Sequence, residues 1–146
     1  MNITTKIIIT DTNIITDLNN ANILEKFINL DNVYICDMIK NDEINVKTGN
    51  MKLMNQFKII SVTKEQLLEV CNLSRTEKKL SIYDLINYVL ARDYHGILAT
   101  GDNRLKTFSE KNGIKVIRTL KIIKLMKDHN IISYKEAIDA CTLLKS

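Results

Sequence analysis

The sequence contains neither proline nor tryptophan. Beside its many isoleucines, asparagines and lysines, that absence reads as coding bias and excludes no function. Other absences say more. The three cysteines, Cys36, Cys71 and Cys141, form no CxxC pair and no cluster with a histidine, so a zinc site has no ligand set. Their odd number, wide spacing and apolar settings read as reduced core thiols of a cytosolic protein. His95 and His129 are isolated, each beside a chain break, and spacing supports no Ser-His-Asp or Cys-His catalytic pairing. There is no GxGxxG and no GxxxxGK, which removes sequence support for a nucleotide cofactor. The apolar run Ile7-Ile8-Ile9 is too short for the core of a signal peptide, and no segment reaches membrane-spanning length. The expected location is the cytoplasm, with no membrane partner. Charge of one sign is also scarce: a net charge of +4 permits a polyanionic partner without demanding one.

What is present fits one ordinary globular domain: 146 residues, 45% hydrophobic and 26% charged. Residues 6–10 read as a buried strand and 12–18 as a short helix. A second helix is predicted over 21–30, a strand over 33–36, and a helical pattern from Asp37 that takes in Ile39, Asp42, Glu43 and Ile44. Residues 57–62 form the next expected strand. The Thr63/Gln66 capping box starts a helix reaching about 72, followed by a charged linker over 75–79. Residues 103–112 read as a helix closed by Gly113, and 115–118 as a last strand. Two helices, 121–129 and 134–144, finish the chain, the second opened by a Ser133/Glu136 capping box. Alternating strands and helices predict an α/β fold with a mostly parallel central sheet and helices on both faces.

The stretch 80–105 organises this pattern. Ile82, Leu85, Ile86, Val89 and Leu90 recur at helical spacing behind an N-cap at Ser81, and the short apolar run from Ile97 to Thr100 ends at the turn Gly101-Asp102. The unit puts Asp84 in the first turn of its helix and Asp102 just past its strand. Asp11 likewise follows the first strand. Ligands of open α/β sheets bind outside the carboxyl ends of strands. Asp11, Glu43, Asp84 and Asp102 can therefore converge on one crevice, although Asp11 also suits an N-cap, Glu43 a boundary position reaching solvent, and Asp84 a capping box with Ser81. Like charges packed together call for a cation, and an oxygen-only ligand set selects Mg²⁺ or Mn²⁺. The chemistry that follows is hydrolysis of a phosphodiester.

The segments IIITDTNII, DMIKNDEI, LSIYDLINYVLA and GILATGDNRL together resemble the PIN-domain ribonucleases, among them the VapC-type toxins. The resemblance covers about residues 6–118 as the core of a single domain over 1–146, with 121–145 similar to an extra C-terminal helical pair of some members. It implies catalytic acids at Asp11, Glu43, Asp84 and Asp102, metal ligands at Asp11, Asp84 and Asp102, and supporting polar groups at Asn13, Ser81 and Thr100. It further implies a Mg²⁺- or Mn²⁺-dependent endoribonuclease that leaves a 5′-phosphate, an antitoxin partner and a homodimer. Asn103, Arg104 and Leu105 stand where many members carry a further acid, which bears on whether one ion binds or two.

Arg104 and Lys106, close behind Asp102, are candidates for contact with RNA phosphates. Tyr83, Tyr88 and Tyr94 are available either to stack on bases or to pack. A haloacid-dehalogenase-like phosphatase would need an acid where Asn13 stands, and a response-regulator receiver would need one after the third strand, where Thr63-Lys64 stands. A catalytically silent PIN-fold scaffold that binds RNA or protein is the remaining alternative.

Overall fold

The computed structural model describes residues 1–39 and 53–145. Five strands, β1 (Ile8–Thr10), β2 (Val33–Cys36), β3 (Ile59–Ile60), β4 (Ile97–Ala99) and β5 (Val116–Ile117), form one sheet in the order β3-β2-β1-β4-β5. Every neighbouring pair is parallel. The chain builds outward from β1 to β3, then returns to place β4 on the other side of β1, with Ile8 opposite Ile97 and Thr10 opposite Ala99. The order of strands reverses there, so the connections leaving β1 and β4 diverge and open a crevice at their carboxyl ends. All residues of β1 and β4 are buried, as expected of parallel strands covered on both faces.

The helices are α1 (Thr12–Asn20), α2 (Leu24–Ile28), the single turn α3 (Asp37–Ile39), α4 (Lys64–Thr76), α5 (Ile82–Asp93), α6 (Asn103–Lys111), α7 (Thr119–Asp128) and α8 (Tyr134–Lys145). They fall into two groups: α5 packs on α4, α6, β1 and β4, while α1 packs on α2, α7 and α8. The C-terminal pair is tied to this second group by a Thr119 hydroxyl donating to Asp17 at 2.8 Å and by Lys26 against Glu136 at 2.8 Å. Buried Ala137 and Ala140 are the small side chains that let α8 approach. Among the described residues no helix is long and apolar enough to cross a membrane.

Local chemistry explains the boundaries. The capping boxes of Thr63/Gln66, Ser81/Asp84 and Ser133/Glu136 all form with both reciprocal bonds. The helix expected over 21–30 begins only at Leu24 because Asn22 takes a left-handed φ of 61° just after α1. The strand expected over 57–62 shrinks to Ile59–Ile60, which among the described residues is an edge strand paired with β2 alone. Helix α4 runs on through Arg75 to Thr76, absorbing the start of the supposed linker. Of the helical pattern expected from Asp37 onward, the part beyond Ile39, including Asp42, Glu43 and Ile44, lies outside the described residues.

The reading of all three cysteines as core thiols needs correction. Cys36 is buried, but Cys71 is exposed and Cys141 half-buried. Helix α4 buries only Val70, and Cys71 falls on its solvent side.

Gly96, between α5 and β4, is required by close approach. A Cβ there would lie 2.8 Å from the Ile7 carbonyl oxygen and 2.9 Å from its Cγ1, and that carbonyl accepts the Ile97 amide at 2.8 Å to start the β1–β4 ladder. Gly96→Ala is expected to cost about 1–3 kcal/mol, as overpacking against backbone does, measured as a lower urea midpoint with an unchanged slope.

Candidate active site

The crevice between β1 and β4 holds the acids. Asp11 leaves β1 with extended backbone, φ −86° and ψ 169°, and caps α1: its Oδ1 accepts the Ile14 amide at 3.0 Å. Its other oxygen accepts the Thr100 hydroxyl. The Asp11 amide donates to the Ala99 carbonyl at 3.0 Å, so the residue is clamped to the end of β4 by backbone as well as side chain. Asp102 caps α6, with Oδ1 accepting the Arg104 amide at 2.8 Å and the Leu105 amide at 3.1 Å. Its own amide donates to the Thr100 hydroxyl oxygen at 3.1 Å. Thr100 thus bridges the two strand-end acids through one hydroxyl group. Asp84 sits in the first turn of α5, with Oδ2 accepting the Ser81 amide at 3.0 Å while the Ser81 hydroxyl accepts the Asp84 amide at 3.0 Å.

Asp11, Asp84 and Asp102 line a single cleft of about 280 Å³ together with Asn13, Ser81, Tyr83 and Asn87. Asp11 and Asp102 accept first-turn amides of the helices they cap and Asp84 accepts the N-cap amide of its own, placements at helix starts that favour a negative charge. Asp11 is nevertheless only 5% exposed. Burial raises its pKa from 3.8 to about 6, against the lowering by Thr100 and the Ile14 amide, and the charges of Asp84 and Asp102 raise it further. Asp11 therefore feels both of the other carboxylates. Among the described residues no three acid, histidine or cysteine side chains are gathered tightly enough to hold an ion as they stand.

The expected site residues are thus sorted. Asp11, Asp84 and Asp102 meet in one cleft, Asn13 and Ser81 stand at its edge, and Thr100 lies beneath it as the bridge. Glu43 lies outside the described residues. Arg104 lines a second groove of about 580 Å³ beside α6, shared with Lys79 and Lys111. Lys106 pairs with Glu110 at 2.8 Å. Of the tyrosines, Tyr88 is buried edge-on against Phe108 with ring centroids 4.7 Å apart, Tyr94 is exposed, and Tyr83 reaches the acidic cleft. Asn87 in the cleft wall was not anticipated as a site residue. Its only sequence signal is a polar side chain one turn after Asp84 in an apolar helix.

A doubly wound parallel sheet with carboxylates at its switch point defines the class, a small α/β protein whose β1–β4 crevice lies where ligands of such sheets bind. The PIN-domain family matches the chain over residues 7–144, through both C-terminal helices. The chain belongs to the PIN-domain family, whose members are typically nucleases and generally use divalent metals. A search of curated proteins finds no match to it.

Proposed function

We propose that this chain is a Mg²⁺- or Mn²⁺-dependent endoribonuclease that hydrolyses RNA phosphodiesters at the Asp11, Asp84 and Asp102 cleft and leaves a 5′-phosphate. The reading is carried by the convergence of these three acids, from three separate elements, on the crevice at the sheet's switch point. An all-oxygen donor set fits a hard divalent ion and not zinc. A cation would also relieve the mutual repulsion that Asp11 feels. Asp11, Asp84 and Asp102 would hold it, with Glu43 as a further acid. When bound, the ion supplies charge neutralisation at the phosphate and a more acidic attacking water.

The chain's own residues do the positioning. The Thr100 hydroxyl ties the Asp11 carboxylate to the Asp102 backbone and so sets the spacing of the two strand ends. The Ser81 cap holds Asp84 on the facing helix. Arg104, with Lys79 and Lys111, lines the adjoining groove and suits the phosphates of a single RNA strand leaving the cleft. Lys106 contributes less, because Glu110 already engages it. Similarity to the VapC-type toxins extends the proposal to a cytoplasmic toxin held by an antitoxin and acting as a homodimer.

The decisive assay is cleavage of a labelled structured RNA with Mg²⁺, with Mn²⁺ and with EDTA, beside an Asp102→Asn variant. Asparagine keeps the α6 cap, so the fold is retained. Metal-dependent cutting that disappears in the variant supports the nuclease. No cutting of several RNAs, together with no heat of Mn²⁺ binding, would leave a silent scaffold. A separate expectation concerns affinity: Arg104→Ala should lower the slope of log affinity against log salt by about 1, read by fluorescence anisotropy, with Mn²⁺ affinity unchanged.

A further inference from the structure

Asn87 lies one turn after Asp84 on α5, within the run from Leu85 to Ala91 that is buried throughout. It is 1% exposed, it forms part of the acidic cleft's wall, and its Oδ1 has no hydrogen-bond partner among the described residues. A buried amide oxygen without a donor costs on the order of 1–3 kcal/mol, and native proteins retain few of them. An apolar side chain at this position would avoid that cost. Asn87 is on the side of α5 that lines the acidic cleft, so a partner for its oxygen is to be sought there.

We propose that Asn87 is a binding residue of this site, offering its side-chain oxygen as a neutral donor to the hydrated divalent cation held by Asp11, Asp84 and Asp102. The inference rests on the metal-dependent reading above. Asparagine oxygens are ordinary partners of hard cations and their waters. A neutral oxygen adds binding capacity without a fourth negative charge beside three carboxylates that already repel. Position supports the pairing, since residues three apart on a helix share a face.

The test uses full-length protein, Mn²⁺ alone as probe, and the variants Asn87→Leu and Asn87→Asp. Thermal unfolding in EDTA and in saturating Mn²⁺ is measured beside calorimetric Mn²⁺ affinity. Asn87→Leu is expected to bind Mn²⁺ about tenfold more weakly than wild type, as loss of an outer partner does. Asn87→Asp, which preserves shape, is expected to unfold lower in EDTA and to show a larger Mn²⁺-induced rise than wild type. If both variants keep the wild-type Mn²⁺ affinity and the same Mn²⁺-induced rise, Asn87 is a structural residue and the inference is overturned while the metal site stands. Absence of Mn²⁺ binding by wild type overturns the metal-dependent reading itself and this inference with it.

Discussion

Asp11→Asn is expected to abolish RNA cleavage while making the metal-free protein more stable. The two effects have one cause. Asp11 is buried at the end of β1, and burial is the largest contribution to its raised pKa of about 6. At neutral pH the folded chain therefore holds a desolvated carboxylate, a burden of roughly two pKa units or ~3 kcal/mol at ~1.4 kcal/mol per unit. Asparagine has the same shape, keeps an oxygen for the Ile14 amide, is an equally good N-cap and carries no charge to desolvate. Loss of the charge-assisted bond from Thr100 offsets part of the gain, leaving an expected increase of about 1–2 kcal/mol, read from urea unfolding in EDTA. Cleavage loses the central carboxylate. If that group contributes several kcal/mol through the ion it holds, the rate under single-turnover conditions falls on the order of 10³-fold. A variant that is both less stable and still active would sink the assignment of Asp11, since a simple structural cap predicts that pairing.

The distribution of legible and hidden features follows from the range of the interactions involved. Capping boxes act over three residues, so Thr63/Gln66, Ser81/Asp84 and Ser133/Glu136 could be read directly and form as expected. Buried parallel strands show as short apolar runs, β-branched in β1 and in β4 simply too brief for a helix, and both could be read on that signal. The pairing of β1 with β4, which creates the crevice, joins residues far apart in sequence and leaves no local trace. The positions of Asp11, Asp84 and Asp102 at strand and helix ends were legible; the Thr100 bridge between the two strand-end acids needed coordinates. Lys106 is the opposite case. Its i,i+4 relation to Glu110 is a local pattern from which the ion pair could have been read, and only its use as an RNA contact was. Asn87 was hidden for a different reason. A sequence shows that an asparagine sits in an apolar helix, but whether its oxygen finds a donor is decided by side chains from other elements.

The metal-free protein is expected to lose stability as pH rises from about 5 to 7, and to recover it when a divalent cation is added. The folded pKa of Asp11, about 6, lies above its ordinary value of 3.8. Between these values the native state keeps a proton that the unfolded chain has released. Stability therefore falls as pH rises through the window and levels off above the folded pKa, by at most ~3 kcal/mol for two units. Other shifted carboxylates act in the opposite sense but at lower pH. Asp31 beside the N-terminal amine, Glu69 beside Arg92, Asp93 beside Gln66 and Arg92, Glu136 beside Lys26 and Asp128 beside Lys124 are all lowered from ordinary values of 3.8 or 4.5, so the stability they add is largely complete by pH 5. A cation bound beside Asp11 favours the ionised form and relieves the burden where it is greatest, at pH 7 and above. At a hundredfold excess over its dissociation constant, linkage adds about 2.7 kcal/mol. Urea midpoints at pH 5 and pH 7.5, each with EDTA and with Mn²⁺, separate these effects. The expected pattern is a fall with pH in EDTA, little or no fall in Mn²⁺, and no fall in either for Asp11→Asn. A wild-type midpoint that is flat or rising with pH in EDTA would mean that the buried carboxylate is already compensated by another group, and the cleft would then have no standing demand for a cation.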